Sequence, residues 1–156
     1  MDDLNRLASD DRVTVRRAGP PNPDGTCVVY WMQRAQRGLD NPALDIAVQA
    51  ANALNKPVVV FFAPVPFYPH ANLRHYRFLA EGILDIAEAL KERQIGFVLR
   101  RFPEHSLLKF CEEVNPSLLR PPVRFFPTTS DFSGCCLVTS SRETTLMKRR
   151  DGVVGL

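Results

Sequence analysis

With 156 residues the chain is long enough to bury a core as one domain without disulfide or metal staples. Its 45% hydrophobic and 24% charged content are those of an ordinary globular protein, and no apolar run reaches the roughly 18 residues that a membrane helix needs. Twenty basic against 17 acidic residues leave a net charge of +3, too balanced to point to a nucleic-acid partner by itself. The opening MDDLNRLASDD is acidic and polar, so the protein reads as cytoplasmic.

Residues 1–25 carry few large apolar side chains and end in Gly19, Pro20, Pro21, Asn22, Pro23, Asp24 and Gly25, which predicts a flexible N-terminal arm with a turn-rich lead-in. The apolar run at 27–32, with Val28, Val29, Tyr30 and Trp31, predicts a first strand covered on both faces. Arg34 and Arg37 follow in a turn. Asp40 or Asn41 then supplies an N-cap, and Pro42 at the first helical position lacks a donor that would be unpaired there anyway. The helix predicted over 42–55 places Leu44, Ala47 or Val48, Ala51 and Leu54 on one face.

Pro57 opens a second strand over 58–62, apolar on both faces and suited to the middle of a parallel sheet. Pro64, Pro66 and Pro69 make 63–71 a loop at the carboxyl end of that strand. A long helix over 72–94 follows, with Leu73, Tyr76, Leu79, Ile83, Ile86 or Ala87 and Leu90 at intervals of three and four. A third strand is predicted over 95–99. Pro103 begins a short helix with Leu107, Phe110 or Cys111 and Val114 on its core face, stopped by Asn115 and Pro116. The alternation of strand and helix predicts an α/β fold, a parallel sheet with helices on both faces.

Open α/β sheets hold ligands in the crevice outside the carboxyl ends of their strands. Two guanidinium groups there, Arg34 and Arg37, suit an anionic ligand or an interdomain ion pair; the plainer alternative is a solvated basic turn pairing with Asp40. No catalytic constellation is evident. His70, His75 and His105 are dispersed, no serine lies in a nucleophile elbow, and the first turn contains only Gly38, short of a phosphate-binding loop. The four cysteines, Cys27, Cys111, Cys135 and Cys136, lack metal-ligand spacing, so no metal site is expected. Cys27 and Cys111 read as small buried hydrophobes, the vicinal pair as incidental, and Trp31 as core.

Taken together, Trp31, Arg34, Arg37, Asp40, Asn41, Ala43 and Leu44 resemble the N-terminal signature of the DNA photolyase and cryptochrome superfamily. The form YWM-x-R-x-Q-R at 30–37 is most similar to the class II cyclobutane pyrimidine dimer photolyases. It departs at Ala35, where family members commonly carry an acidic residue. The resemblance runs over about residues 12–119, through the strand after Lys56, the loop bearing Phe67, the helix with Leu73, Arg74, Tyr76, Phe78 and Leu79, and the ending Glu113, Val114, Asn115, Pro116.

The resemblance implies a Rossmann-like N-terminal domain over 26–119 that serves as scaffold and, in many members, as antenna-chromophore site. It makes Arg34 and Arg37 contacts to a deazaflavin or folate antenna or to the family's helical domain. That helical domain holds the FAD, the tryptophan electron path and the pocket for the pyrimidine dimer, and its function is light-dependent repair of damaged DNA. This chain, whose single tryptophan is Trp31, is therefore expected to be inactive alone and to carry neither cofactor nor DNA.

After Leu119 the pattern breaks. Pro121, Pro122 and Pro127 interrupt any central strand, residues 123–126 suit a short edge strand at best, and from Thr128 the chain is rich in Ser and Thr. Residues 120–156 are thus expected to be a poorly ordered tail, the product of a truncation or an altered reading frame, with a small basic cluster at Lys148, Arg149 and Arg150. The alternatives are a stand-alone nucleotide-binding α/β module and a nonfunctional fragment that associates through its uncovered face.

Overall fold

A computed structural model describes residues 2–11, 13–15, 19–65, 67–120 and 136–140. Among them a six-stranded sheet runs in the order β1-β6-β5-β2-β3-β4. The strands are β1 (Val13–Val15), β2 (Val28–Met32), β3 (Val58–Phe62), β4 (Gly96–Leu99), β5 (Leu118–Arg120) and β6 (Cys136–Ser140), and the helices α1 (Asp2–Ala8), α2 (Pro42–Leu54), α3 (Leu73–Glu92) and α4 (Leu107–Val114). Strands β4, β3, β2, β5 and β6 are mutually parallel, and β1 pairs antiparallel with β6 at the edge. The chain winds from β2 outward to β3 and β4, then returns to the other side of β2 to lay down β5. A switch point thus opens between β2 and β5, where a doubly wound sheet leaves a crevice.

The alternation of side chains along the strands divides the core in two. Val28, Tyr30, Met32, Val58, Val60 and Phe62 face α2 and α3, meeting Leu44, Ala47, Ala51, Ile86 and Leu90. Val29, Phe61 and Leu119 face α4, where they meet Leu107, Phe110 and Cys111, with Trp31 packed partly buried against them. The rings of Phe61 and Phe110 stack with centroids 4.7 Å apart, a contact worth about 1 kcal/mol beyond its area. Helices therefore cover both faces, because right-handed crossovers send α2 and α3 to one side and the reversal after β4 sends α4 to the other.

Cys27 lies buried at the start of β2, and its desolvated thiol is pushed above the usual thiol range, with the Thr26 hydroxyl acting weakly in the opposite sense. A raised thiol pKa leaves the group protonated and unreactive in mildly alkaline solution. Brief treatment of the folded protein with iodoacetamide at pH 8 should leave Cys27 unmodified in peptide mass maps, and prompt alkylation would contradict this burial.

The predicted strands and long helices lie where the periodicity puts them. Five elements fall elsewhere. The expected arm contains α1 and β1, and Leu4 and Leu7 of α1 pack on the α2 side of the core, which a short apolar repeat inside an acidic opening conceals. Helix α4 begins at Leu107 and not at Pro103, because the Ser106 hydroxyl accepts from the Lys109 amide at 3.3 Å and sets the cap there. Strand β5 forms just ahead of Pro121, so the prolines follow the strand and do not interrupt it. Within the expected tail, β6 pairs with both β5 and β1. Residues 123–126, Thr128, Cys135 and the basic cluster at 148–150 lie outside the described residues.

Candidate functional site

The loop between β2 and α2 stands at the carboxyl end of the central strand and carries Arg34 and Arg37, both exposed. Its course is tight. The Gln36 amide donates to the Arg34 carbonyl and the Arg37 amide to the Ala35 carbonyl, each at 3.0 Å, and the Gln36 side chain donates to the Gln33 carbonyl at 2.8 Å. Two successive three-residue turns of this kind hold the backbone in register without helix or sheet.

Asn41 holds the loop from within. It is the N-cap of α2, 0% exposed, and its Oδ1 accepts from the Leu44 amide at 3.2 Å. Its Nδ2 donates to the carbonyls of Ala35 and Arg37, both at 3.1 Å, and reaches the Tyr30 hydroxyl at 3.3 Å. One buried amide thus ties the strand, the basic turn and the helix together. Asp40, the other cap candidate, is exposed with φ 47°, in the left-handed region that Asp and Asn tolerate better than most residues. It turns the chain and leaves the capping to its neighbour.

A second brace comes from α3. Arg93 donates to the Gly38 carbonyl at 2.8 Å and to the Asp45 carboxylate at 2.7 Å. Gly38 is where the loop meets that helix: a Cβ there would lie 2.8 Å from the Ala89 Cβ and 3.3 Å from the Ile86 carbonyl. The single glycine of this turn is consumed by packing against α3, so the turn does not present the bare backbone that a dinucleotide or nucleoside phosphate requires.

Neither Arg34 nor Arg37 enters an ion pair among the described residues, and Asp40 makes none with them. With alanine at position 35 there is no acid between them to neutralise the pair. Two uncommitted guanidinium groups on a braced loop can bind a carboxylate or phosphate without first breaking an internal contact.

The neighbouring carboxyl-end loops add aromatic surface, which sequence reasoning did not single out. Phe67 from the β3–α3 loop meets Phe102 from the β4–α4 loop edge to face at 6.0 Å, and His105 lies 5.3 Å from the Phe102 ring. Tyr76 on α3 pins the proline-rich loop by donating to the Val65 carbonyl at 3.1 Å and accepting from the Tyr68 amide at 3.2 Å. His75 is occupied in a capping box with Asn72, and His70 is exposed with φ 64° in the loop turn. Among the described residues no cluster of His, Cys, Asp and Glu could hold a metal ion, and no helix is long and apolar enough to cross a membrane.

Doubly wound order, a switch point beside β2 and a braced cationic loop at its carboxyl end define an α/β domain of the open, ligand-edge type. The profile of the DNA photolyase family matches residues 28–120, the stretch from the first residue of β2 to the last of β5. The chain belongs to the DNA photolyase family.

Curated relatives named deoxyribodipyrimidine photo-lyase agree. That of Methanothermobacter thermautotrophicus is 43% identical over 102 residues, which are 64% of this chain and 23% of the relative. Those of Potorous tridactylus and Oryza sativa are 34% and 41% identical over 92 and 90 residues, which are 16% and 18% of their lengths. The chain thus spans less than a quarter of these relatives. A solved universal stress protein from Archaeoglobus fulgidus, 13% identical with a TM-score of 0.48, covers 74% of the chain, a distant likeness that bears on neither ligand nor activity.

Proposed function

We propose that this chain is the scaffold domain of a light-dependent DNA repair enzyme acting on cyclobutane pyrimidine dimers, and that Arg34 and Arg37 receive an anionic antenna pigment or the partner domain. The observation that carries the reading is the coincidence of the family match with the β2–β5 sheet, together with a guanidinium pair at its switch point that enters no ion pair among the described residues. A deazaflavin or folate antenna combines a planar ring with an anionic tail. The arginines suit the tail, and the aromatic surface formed by Phe67 and Phe102 suits ring stacking.

Photochemical repair needs an excited reduced flavin beside the extruded bases. The β2–α2 turn does not fit the flavin's diphosphate, since Gly38 is filled by Ala89. The chain's own contribution is to orient and to brace: Asn41 and Arg93 fix the loop, and the loop presents its two cations. Illumination of this chain with dimer-containing DNA should give no repair until the remainder of a photolyase is supplied. The same absence of an open glycine turn counts against a stand-alone nucleotide-binding module.

Incubation with a deazaflavin, and separately with a folate, followed by gel filtration, tests the antenna reading. Retention of a red-shifted absorbance band is the expected result. The Arg34→Ala/Arg37→Ala variant should lose at least about tenfold in affinity, equivalent to roughly 1.4 kcal/mol, with an unchanged thermal midpoint because both side chains are exposed. Failure to retain either pigment overturns the antenna role and leaves the interdomain one, which the same variant tests by its binding to the remaining part of a photolyase.

A further inference from the structure

The loop 63–71 between β3 and α3 has little of its own to hold it in place. Pro64, Pro66 and Pro69 bring no N–H to it, and among the described residues its one internal backbone hydrogen bond runs from the Ala71 amide to the Tyr68 carbonyl at 3.1 Å. Burial does not hold it either, since Val65, Phe67 and Tyr68 are all exposed, Phe67 at 72%. The Tyr76 hydroxyl supplies what is missing: it donates to the Val65 carbonyl at 3.1 Å and accepts from the Tyr68 amide at 3.2 Å. Those two residues lie on either side of Phe67 in the chain, so a single hydroxyl staples the backbone across that ring. Tyr76 is itself half-buried near the start of α3, which the capping box of Asn72 and His75 fixes.

The opposite ring is held in a similar way. Phe102 is exposed in the β4–α4 loop, where Arg100 pairs with Glu113 of α4 at 2.7 Å and with Glu104 at 3.6 Å, and the Glu104 amide closes a turn on the Arg101 carbonyl at 2.8 Å. Phe67 and Phe102 meet across the two loops at 6.0 Å and 76°. One edge-to-face contact between exposed rings is too weak to order two loops against their conformational entropy, so the polar staples set the geometry. We propose that Tyr76 is a positioning residue for ring capture: its hydroxyl sets Phe67 against Phe102 in the free protein, and the planar ring of an antenna pigment meets a stacking surface already formed. The assignment of the ligand rests on the antenna reading above.

Without the hydroxyl, the Val65 carbonyl and the Tyr68 amide turn to water, which reaches both because their residues are exposed. Stability changes little. The loop, however, then visits other arrangements, and only a fraction of molecules present Phe67 beside Phe102. Apparent affinity falls by that fraction. The loss belongs to association, since the assembled complex keeps the same ring contacts and leaves at the same rate. Removing a direct contact, as in Arg34→Ala/Arg37→Ala, acts in the other direction and speeds dissociation. The two kinds of residue are thus separable by kinetics.

Tyr76→Phe in the full chain removes one oxygen and keeps the ring. In nuclear Overhauser spectra of the free protein, cross-peaks between the Phe67 and Phe102 rings should be present in the parent and lost in the variant, with the circular dichroism spectrum and thermal midpoint unchanged. Stopped-flow mixing with a deazaflavin should then show association at least about fivefold slower and dissociation unaltered. A ring contact that persists in Tyr76→Phe overturns the proposal, as does a variant altered in dissociation alone. Loss of the contact only together with a fall in the thermal midpoint overturns it too, and makes Tyr76 a stability residue. A parent that retains no pigment fails the antenna reading itself and takes the ligand role of Tyr76 with it. A parent that retains pigment while the variant binds equally fast fails the Tyr76 proposal alone.

Discussion

Asn41→Ala is expected to destabilise the protein by about 3 kcal/mol, seen as a fall in the urea midpoint at unchanged slope. Loss of the cap accounts for about 1 kcal/mol. The rest follows from the carbonyls of Ala35 and Arg37 and the Tyr30 hydroxyl, which share the fully buried Asn41 amide on the inner side of the turn. A buried acceptor deprived of its donor costs about 1–3 kcal/mol, and the exposed side of the turn lets part of that be recovered by solvent. For a chain of this size the thermal midpoint should drop by about 10 °C.

Asn41→Asp separates the two contributions. The carboxylate still accepts from the Leu44 amide and lies favourably at a helix N-terminus, so the cap survives. It has no hydrogen to offer the two carbonyls, and it sets a negative charge against them. Asn41→Asp should therefore remain destabilised by about 2 kcal/mol or more. If it matches the parent, the brace contributes nothing and Asn41 is only a cap. The same variant should weaken any ligand held by Arg34 and Arg37, since a loosened loop has to be ordered again on binding.

The strands β2 and β3 were legible because each is a short apolar run bounded by turn residues, and α2 and α3 because caps and a period of 3.6 coincide. The two-sided cover followed from apolar residues at both parities of β2. What was not legible depends on partners far away in sequence. Strands β1, β5 and β6 are short segments that become strands only by pairing with each other and with β2, and local composition carries no trace of register. At the site the residues Arg34, Arg37 and Asn41 were visible, but Arg93 was hidden. Nothing near Arg93 in sequence suggests that its guanidinium closes over Gly38, 55 residues earlier. Nor does a sequence reveal that Gly38 is spent on Ala89, the contact that decides against a phosphate loop.

Gly25→Ala is expected to be among the most damaging single-methyl changes in the molecule, lowering stability by about 3 kcal/mol or more. The lead-in to β2 is stitched to the junction of α4 and β5. The Asn22 amide donates to the Ser117 carbonyl at 3.1 Å, Ser117 donates to the Cys27 carbonyl at 2.7 Å, and the Thr26 amide donates to the Asn115 carbonyl at 2.9 Å. The Thr26 hydroxyl donates to the Val114 carbonyl, and the Asn115 side chain accepts from the Asn22 side-chain amide and donates to the Asp24 backbone carbonyl. Gly25 is the point of closest approach, where a Cβ would sit 2.3 Å from the Ser117 nitrogen and 2.4 Å from its Cα and Oγ.

Two of those three atoms are backbone, so no rotamer change relieves the overlap. Ser117→Ala removes only the third, a buried hydroxyl with no hydrogen-bond partner among the described residues, and should not rescue the variant. Two other glycines serve as controls. Gly82 has open space and lies within α3, so Gly82→Ala should stabilise by about 0.5–1 kcal/mol. Gly19 also has open space but φ +125°, so alanine there should cost about 1 kcal/mol through the backbone alone. Urea titration of the three variants should rank them in that order, with Gly25→Ala last. A Gly25→Ala protein as stable as the parent would mean that the lead-in does not lie against Ser117, and that the two ends of the family domain are not sewn together in this way.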